Sequence, residues 1–141
     1  MEKLNLAKNI MNARIFTQNA CESFDKDRSN KQSLPVNVRL LFLIGEYGRV
    51  SPSTLIDKLY IAKSNLALMC KQLILQGFIK VSQDLKDKRI IYYCLTQEGK
   101  DYLETKLLGV EYNLTKNFSD QDLQNLNQKL QELNEILSKK F

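Results

Sequence analysis

Lys63, Ser64 and Asn65 set an ammonium, a hydroxyl and a carboxamide side by side. At the start of a helix such a trio can meet base edges and the phosphates beside them: Asn pairs with adenine, Ser with several groups, Lys with guanine or phosphate. Lys71, two turns further on, suits a phosphate better than a base. A second cluster, Lys86-Asp87-Lys88-Arg89, surrounds one carboxylate with cations. Asp87 can hold the Arg89 guanidinium, and a held guanidinium can enter a narrow minor groove while Lys86 and Lys88 lie on phosphate. Each cluster also has a plainer reading. Ser64 and Asn65 can simply cap and solvate a helix start, and Asp87–Arg89 can be a solvated ion pair of little energetic value. Cys21 is either a reactive thiol or a small packing residue, and no clear thiolate stabiliser stands near it in sequence.

The residues that are absent exclude other chemistry. The chain has no histidine, which removes the commonest general base and transition-metal ligand. Cys21, Cys70 and Cys94 are an odd set without CxxC spacing, pointing away from disulfides and zinc and toward a reducing cytoplasm. There is no phosphate-cradling glycine loop and no nucleophile–base pair. The expectation is no enzyme, no metal and no cofactor. The first residues lack signal-peptide organisation and no apolar run could span a membrane, so a cytoplasmic protein of one domain is expected.

Charge is unevenly spread. Residues 36–100 hold ten Lys and Arg against five Asp and Glu, a net of +5 that accounts for the whole excess of the chain. A basic middle between neutral flanks suits a polyanion-binding module on a separate scaffold, or else a solvated surface with a few extra lysines.

The elements that must position these groups follow from periodicity and punctuation. Residues 4–24 repeat side chains at helical spacing through Leu6, Ile10, Ala13, either Phe16 or Thr17, Ala20 and Phe24. A polar loop leads to Pro35, which suits the first turn of a helix that Gly48 stops near Tyr47. That helix is apolar nearly all round and is expected to be buried. Ser51-Pro52 reads as cap and first residue of a short helix with Leu55, Ile56 and Leu59 inward. After Tyr60-Ile61-Ala62, a longer helix spans 63–76 with Leu66, Met69, Leu73 and, with less support from spacing, Cys70 and Ile74 inward. Gly77 ends it. The period then changes: 78–82 and 89–95 read as strands around a charged loop. Thr96 caps a helix carrying Tyr102, Leu103, Leu107, Val110 and Leu114. Ser119 caps a last helix in which Leu123, Leu126, Leu130, Leu133 and Leu137 recur at three and four residues, a coiled-coil seam.

Helix, tight turn, helix and basic hairpin between long helices make a winged helix-turn-helix, mainly α with a small β-hairpin. The chain resembles the MarR family of regulators through Ser51-Pro52-Ser53-Thr54-Leu55-Ile56-Asp57-Lys58-Leu59, Ala62-Lys63-Ser64-Asn65 and Leu73-Ile74-Leu75-Gln76-Gly77-Phe78-Ile79. The most specific stretch is the wing, Asp84-Leu85-Lys86-Asp87-Lys88-Arg89, followed by Tyr93-Cys94-Leu95-Thr96-Gln97-Glu98-Gly99. The resemblance implies a dimerisation helix and loop in residues 1–34, a DNA-binding region in 35–100 and further dimerisation helices in 101–141. It implies a homodimer whose recognition helices enter successive major grooves of a pseudo-palindromic operator while the wings reach the minor groove. It also implies repression relieved by a small molecule or by thiol oxidation, with Cys21 on the helix where peroxide-sensing relatives keep their reactive thiol.

On this reading Ser53, Thr54, Lys63, Ser64, Asn65, Leu68, Lys71, Lys86, Asp87, Lys88 and Arg89 face DNA. Leu6, Ile10 and the five seam leucines face the partner. Tyr47 and Tyr102, with Tyr92 and Tyr93, are either core or the lining of an effector pocket. Leu68 is a departure from the family, which often has polar residues there. Pointing outward, it can contact thymine methyls, or it can mark a winged-helix module that binds protein rather than specific DNA.

Overall fold

The computed structural model describes residues 3–22 and 36–141. Its elements are α1 (Lys3–Glu22), α2 (Val36–Tyr47), α3 (Pro52–Leu59), α4 (Lys63–Leu75), β1 (Ile79–Gln83), β2 (Ile91–Leu95), α5 (Gln97–Asn117) and α6 (Asp120–Leu137). Mainly helical, with a two-stranded antiparallel hairpin, it has the architecture expected of a winged helix. Phe24 and Pro35, both expected in helices, lie outside the described residues. None of the described helices is long and apolar enough to cross a membrane.

The chain divides into two compact units, residues 35–107 and residues 1–34 with 108–141. The first has a closed core. α2 buries Val38, Leu40, Leu41 and Ile44, Leu55 comes from α3, and Leu66, Cys70 and Leu73 come from α4. Ile79, Tyr93, Leu95 and Leu103 complete it with Val50, whose N–H and C=O exchange hydrogen bonds of 3.0 and 2.8 Å with Tyr93. β1 and β2 pair in register from Ile79 opposite Leu95 to Gln83 opposite Ile91. α2 is not buried on every side as its composition suggested, for Phe42 remains 41% exposed.

Caps and glycines fix the element ends. Ser51 accepts from the Thr54 N–H at 3.3 Å and Pro52 opens α3, as read from sequence. α4 closes with Gly77 at φ +82°, its N–H on the Ile74 carbonyl and the Phe78 N–H on the Leu73 carbonyl. This paired closure is the Schellman arrangement. It takes Phe78 out of the strand, so β1 starts one residue later than expected, and Phe78 stacks on Tyr102 at 4.5 Å instead. β2 likewise starts at Ile91 and not Arg89, because the Asp87 carboxylate holds Arg89 in the turn. On α4 the buried face is Leu66, Cys70 and Leu73; Met69 is only half-buried and Ile74 is 40% exposed. Between α3 and α4, Tyr60 adopts φ 53°, a left-handed conformation that is costly for a residue with a Cβ.

The second unit contains α1, α5 from Leu108 onward, and α6. Asn113 donates to the Ala20 carbonyl at 3.3 Å within it. Ser119 caps α6 by accepting from the Asp122 N–H at 3.2 Å. Leu123, Leu126, Leu130 and Leu133 are half-buried, Leu137 is exposed, and α6 buries no residue. On α1, Leu6 is 50% and Ile10 42% exposed.

Candidate nucleic-acid interface

Lys63, Ser64 and Asn65 occupy the first turn of α4 and all three are exposed. The capping position belongs to Ala62, which has no side-chain acceptor. Ser64 and Asn65 are therefore not the cap, and none of the three makes a side-chain hydrogen bond or ion pair among the described residues. The helix that carries them is anchored through buried Leu66, Cys70 and Leu73. Lys71 is exposed further along, and Leu68 is 58% exposed, pointing outward as its position required. Ser53 and Thr54 stand at the start of α3, where their hydroxyls lie 3.1 and 3.0 Å from Ser51 Oγ. They belong first to that capping network.

The wing places its charges with more definition than the sequence foretold. Arg89 directs Nε and Nη2 onto the two Asp87 oxygens, both at 3.0 Å, and the Arg89 N–H donates to Asp87 as well. These bonds hold the Asp87 carboxyl below, and the guanidinium above, their ordinary values. The Arg89 side chain is 91% exposed, so the pair adds little to stability but orients the cation. Lys86 and Lys88 stand exposed beside it.

Sequence reasoning missed what supports the wing. Asp84 Oδ2 accepts from the N–H groups of Lys86 at 3.1 Å and Asp87 at 3.0 Å. Tyr92 donates its hydroxyl to Asp84 Oδ1 at 3.4 Å. The Arg49 guanidinium lies 3.9 Å over the Tyr92 ring and donates to the Gln83 carbonyl. The Asp84 carboxyl is held below its usual range, first by the Asp87 and Lys86 N–H groups and, more weakly, by Tyr92 and Arg49. Asp84 two residues ahead of a charged turn is a local signal for such a bonded loop. Arg49, thirty-four residues from Gln83, gives none.

The remaining candidates lie elsewhere. Tyr102 is engaged with Phe78, Lys106 Nζ lies 5.4 Å from its ring centre, and Tyr47 is 46% exposed. An open cavity of about 550 Å³ does exist in residues 35–107, lined by Phe42, Glu46, Lys80, Cys94, Lys100 and Leu103 among others, but neither tyrosine lines it. Cys21 is half-buried. Burial pushes the Cys70 thiol up to about 11 despite its hydrogen bond with Tyr93, so it stays protonated and packs.

A wing hairpin behind a helix whose polar first turn is bare is the arrangement described for residues 35–91, and that stretch matches the MarR family. Solved MarR-family folds superpose over nearly the whole chain. A MarR family protein from Bacillus stearothermophilus is 18% identical, with a TM-score of 0.74 over 98% of this chain and 99% of its own. The regulator BldR from Sulfolobus solfataricus is 22% identical, with a TM-score of 0.67 over 99% of both chains. A mutant of E. coli MarR, solved in complex with operator DNA, is 19% identical with a TM-score of 0.59 over 92% of this chain and 93% of its own. No curated protein matches the chain.

Proposed function

We propose that this protein is a homodimeric transcriptional regulator that binds double-stranded DNA at a pseudo-palindromic operator. The observation that carries this reading is the first turn of α4: Lys63, Ser64 and Asn65 are exposed, unbonded within the fold, and rigidly carried by a packed helix. The wing is a second contact, with Arg89 for the minor groove and Lys86 and Lys88 for phosphate. Lys71 adds a phosphate contact, and Leu68 a methyl contact with thymine. Ser53 and Thr54 approach the backbone from α3. That E. coli MarR has been solved on its operator supports the same use of the fold here.

The dimer rests on the apolar surface of the second unit. Leu6 and Ile10 on α1 are 50% and 42% exposed, and on α6 Leu123, Leu126, Leu130 and Leu133 are half-buried and Leu137 exposed, an apolar stripe that a second copy would cover. Repression, relieved by a small molecule or by oxidation of Cys21, completes the proposal, in a cytoplasmic protein without enzymatic activity. Tyr47 and Tyr102 remain candidates for contact with that effector.

A protein-binding winged helix is the second reading, favoured by Leu68 at 58% and Leu75 at 79% exposed. Selection of duplexes from a random pool, followed by affinity against salt, separates the two. DNA binding predicts an enriched sequence and an affinity that falls steeply with salt through counterion release. No enrichment and no salt dependence would leave only the protein-binding reading.

A further inference from the structure

The wing displays one side chain that the fold itself does not use. Leu85 is 99% exposed in the loop joining β1 and β2. The loop beneath it is tied down. The Asp84 carboxylate gathers the N–H groups of Lys86 and Asp87, Asp84 N–H donates to the Ile90 carbonyl at 2.9 Å, and Ile90 N–H donates to the Asp87 carbonyl at 3.0 Å. Tyr92 braces the same carboxylate from below, with Arg49 over its ring. Leu85 thus stands out from an ordered base, apolar and in water, at a position where a polar residue would be better solvated. Lys86, Lys88 and Arg89, in the same loop, are exposed as well.

We propose that Leu85 is an apolar wedge that enters the minor groove of duplex DNA beside Arg89 and opens a base step. This rests on the DNA-binding reading above. Lys86, Lys88 and Arg89 outnumber Asp84 and Asp87 in this loop, and the two lysines are exposed, which favours a polyanion as the occupant of the surface. A single leucine side chain is narrow enough for a minor groove about 6 Å across, and leucine is among the side chains that part base steps there. Pyrimidine–purine steps unstack most readily, so the wedge creates a sequence preference where no base edge is hydrogen-bonded.

The probe is the duplex that the parent protein enriches from a random pool, with the steps flanking each half-site changed to TA or to AA. Affinity is measured against salt for the parent and for Leu85→Ala. The parent should favour the TA form. Leu85→Ala should bind it about tenfold more weakly, lose the TA preference and keep the parent's salt slope, because a leucine displaces no counterion. A parent that shows no salt-dependent duplex binding overturns the DNA reading and the wedge with it. A parent that binds while Leu85→Ala superimposes on it overturns the wedge alone.

Discussion

Residues 35–107 and the flanking helices use apolar side chains in opposite ways. Every buried hydrophobic residue among those described, from Val38 to Leu103, lies in the first region. α1 and α6 bury none, although α1 carries Leu4, Leu6, Ile10, Met11, Ile15 and Phe16, all at least 42% exposed. The winged region closes its core because α2 has neighbours on several sides, β2 and α3 among them. A helix with a single leucine stripe, such as α6, has only one face to bury and needs a second apolar surface to cover it. One region therefore closes a core from its own chain, and the proposed dimer would give the other the apolar surface that its helices lack.

Two substitutions should separate these uses most sharply. Leu41→Ala removes a fully buried side chain and should cost about 2–5 kcal/mol in chemical denaturation while the dimer persists below the transition. Leu130→Asp places a charge on the α6 seam and should convert the dimer to a species of the chain mass, 16.4 kDa, by light scattering at micromolar concentration. If the parent already scatters at 16.4 kDa, the flanking helices are not a dimer interface.

Within the winged region, Asn65→Ala should cost about 1–3 kcal/mol of affinity on the selected duplex and relax one base position. Its unfolding midpoint should not move, since Asn65 is exposed and unbonded. Unchanged binding to both selected and random duplexes would contradict the assignment of α4. A smaller effect is expected at the wing: Arg89→Ala should weaken binding and flatten the plot of affinity against salt by about one unit of slope. Asp87→Ala should act in the same direction if the bidentate pair orients Arg89. Tighter binding by Asp87→Ala would show instead that the carboxylate only repels phosphate.

The smallest effect concerns acid. Asp84 titrates below its ordinary value in the folded wing because the charged carboxylate receives N–H bonds. A depressed folded value means that its contribution is present above the unfolded carboxylate pKa, about 3.9, and is lost as pH falls through the folded one. Protection of the Lys86 and Asp87 amides, relative to their intrinsic exchange rates, should thus be held at neutral pH and fall in acid as Asp84 protonates, below the ordinary carboxylate range. Asp84→Asn should remove most of that dependence. A parent wing whose protection does not change through the protonation of Asp84 would contradict the role given to that residue.

The sequence made the helix boundaries legible wherever the signal was local. Ser51-Pro52, Gly48, Gly77, Thr96 and Ser119 act at the ends read from them, because caps and left-handed turns depend on a few adjacent residues. The Asp87–Arg89 pair was legible for the same reason. What failed was a competition between neighbours. The inward face of α4 turned from Met69 to Cys70, which a pattern of apolar residues on both sides of the helix could not decide. The start of β2 moved to Ile91 because side-chain bonds of Asp87 took Arg89 from the strand. The Arg49–Tyr92–Asp84 brace depends on contacts between segments far apart in the chain, and no local pattern encodes it.

The central claim is that two copies of one winged region are set at a fixed spacing by helices that lack a core of their own. Inserting five base pairs between the half-sites of the selected duplex tests it directly, because half a helical turn rotates one half-site to the opposite side of the DNA. The account predicts that the dimer binds the inserted duplex no better than random DNA at the same salt concentration. Equal affinity for the original and inserted duplexes would contradict it.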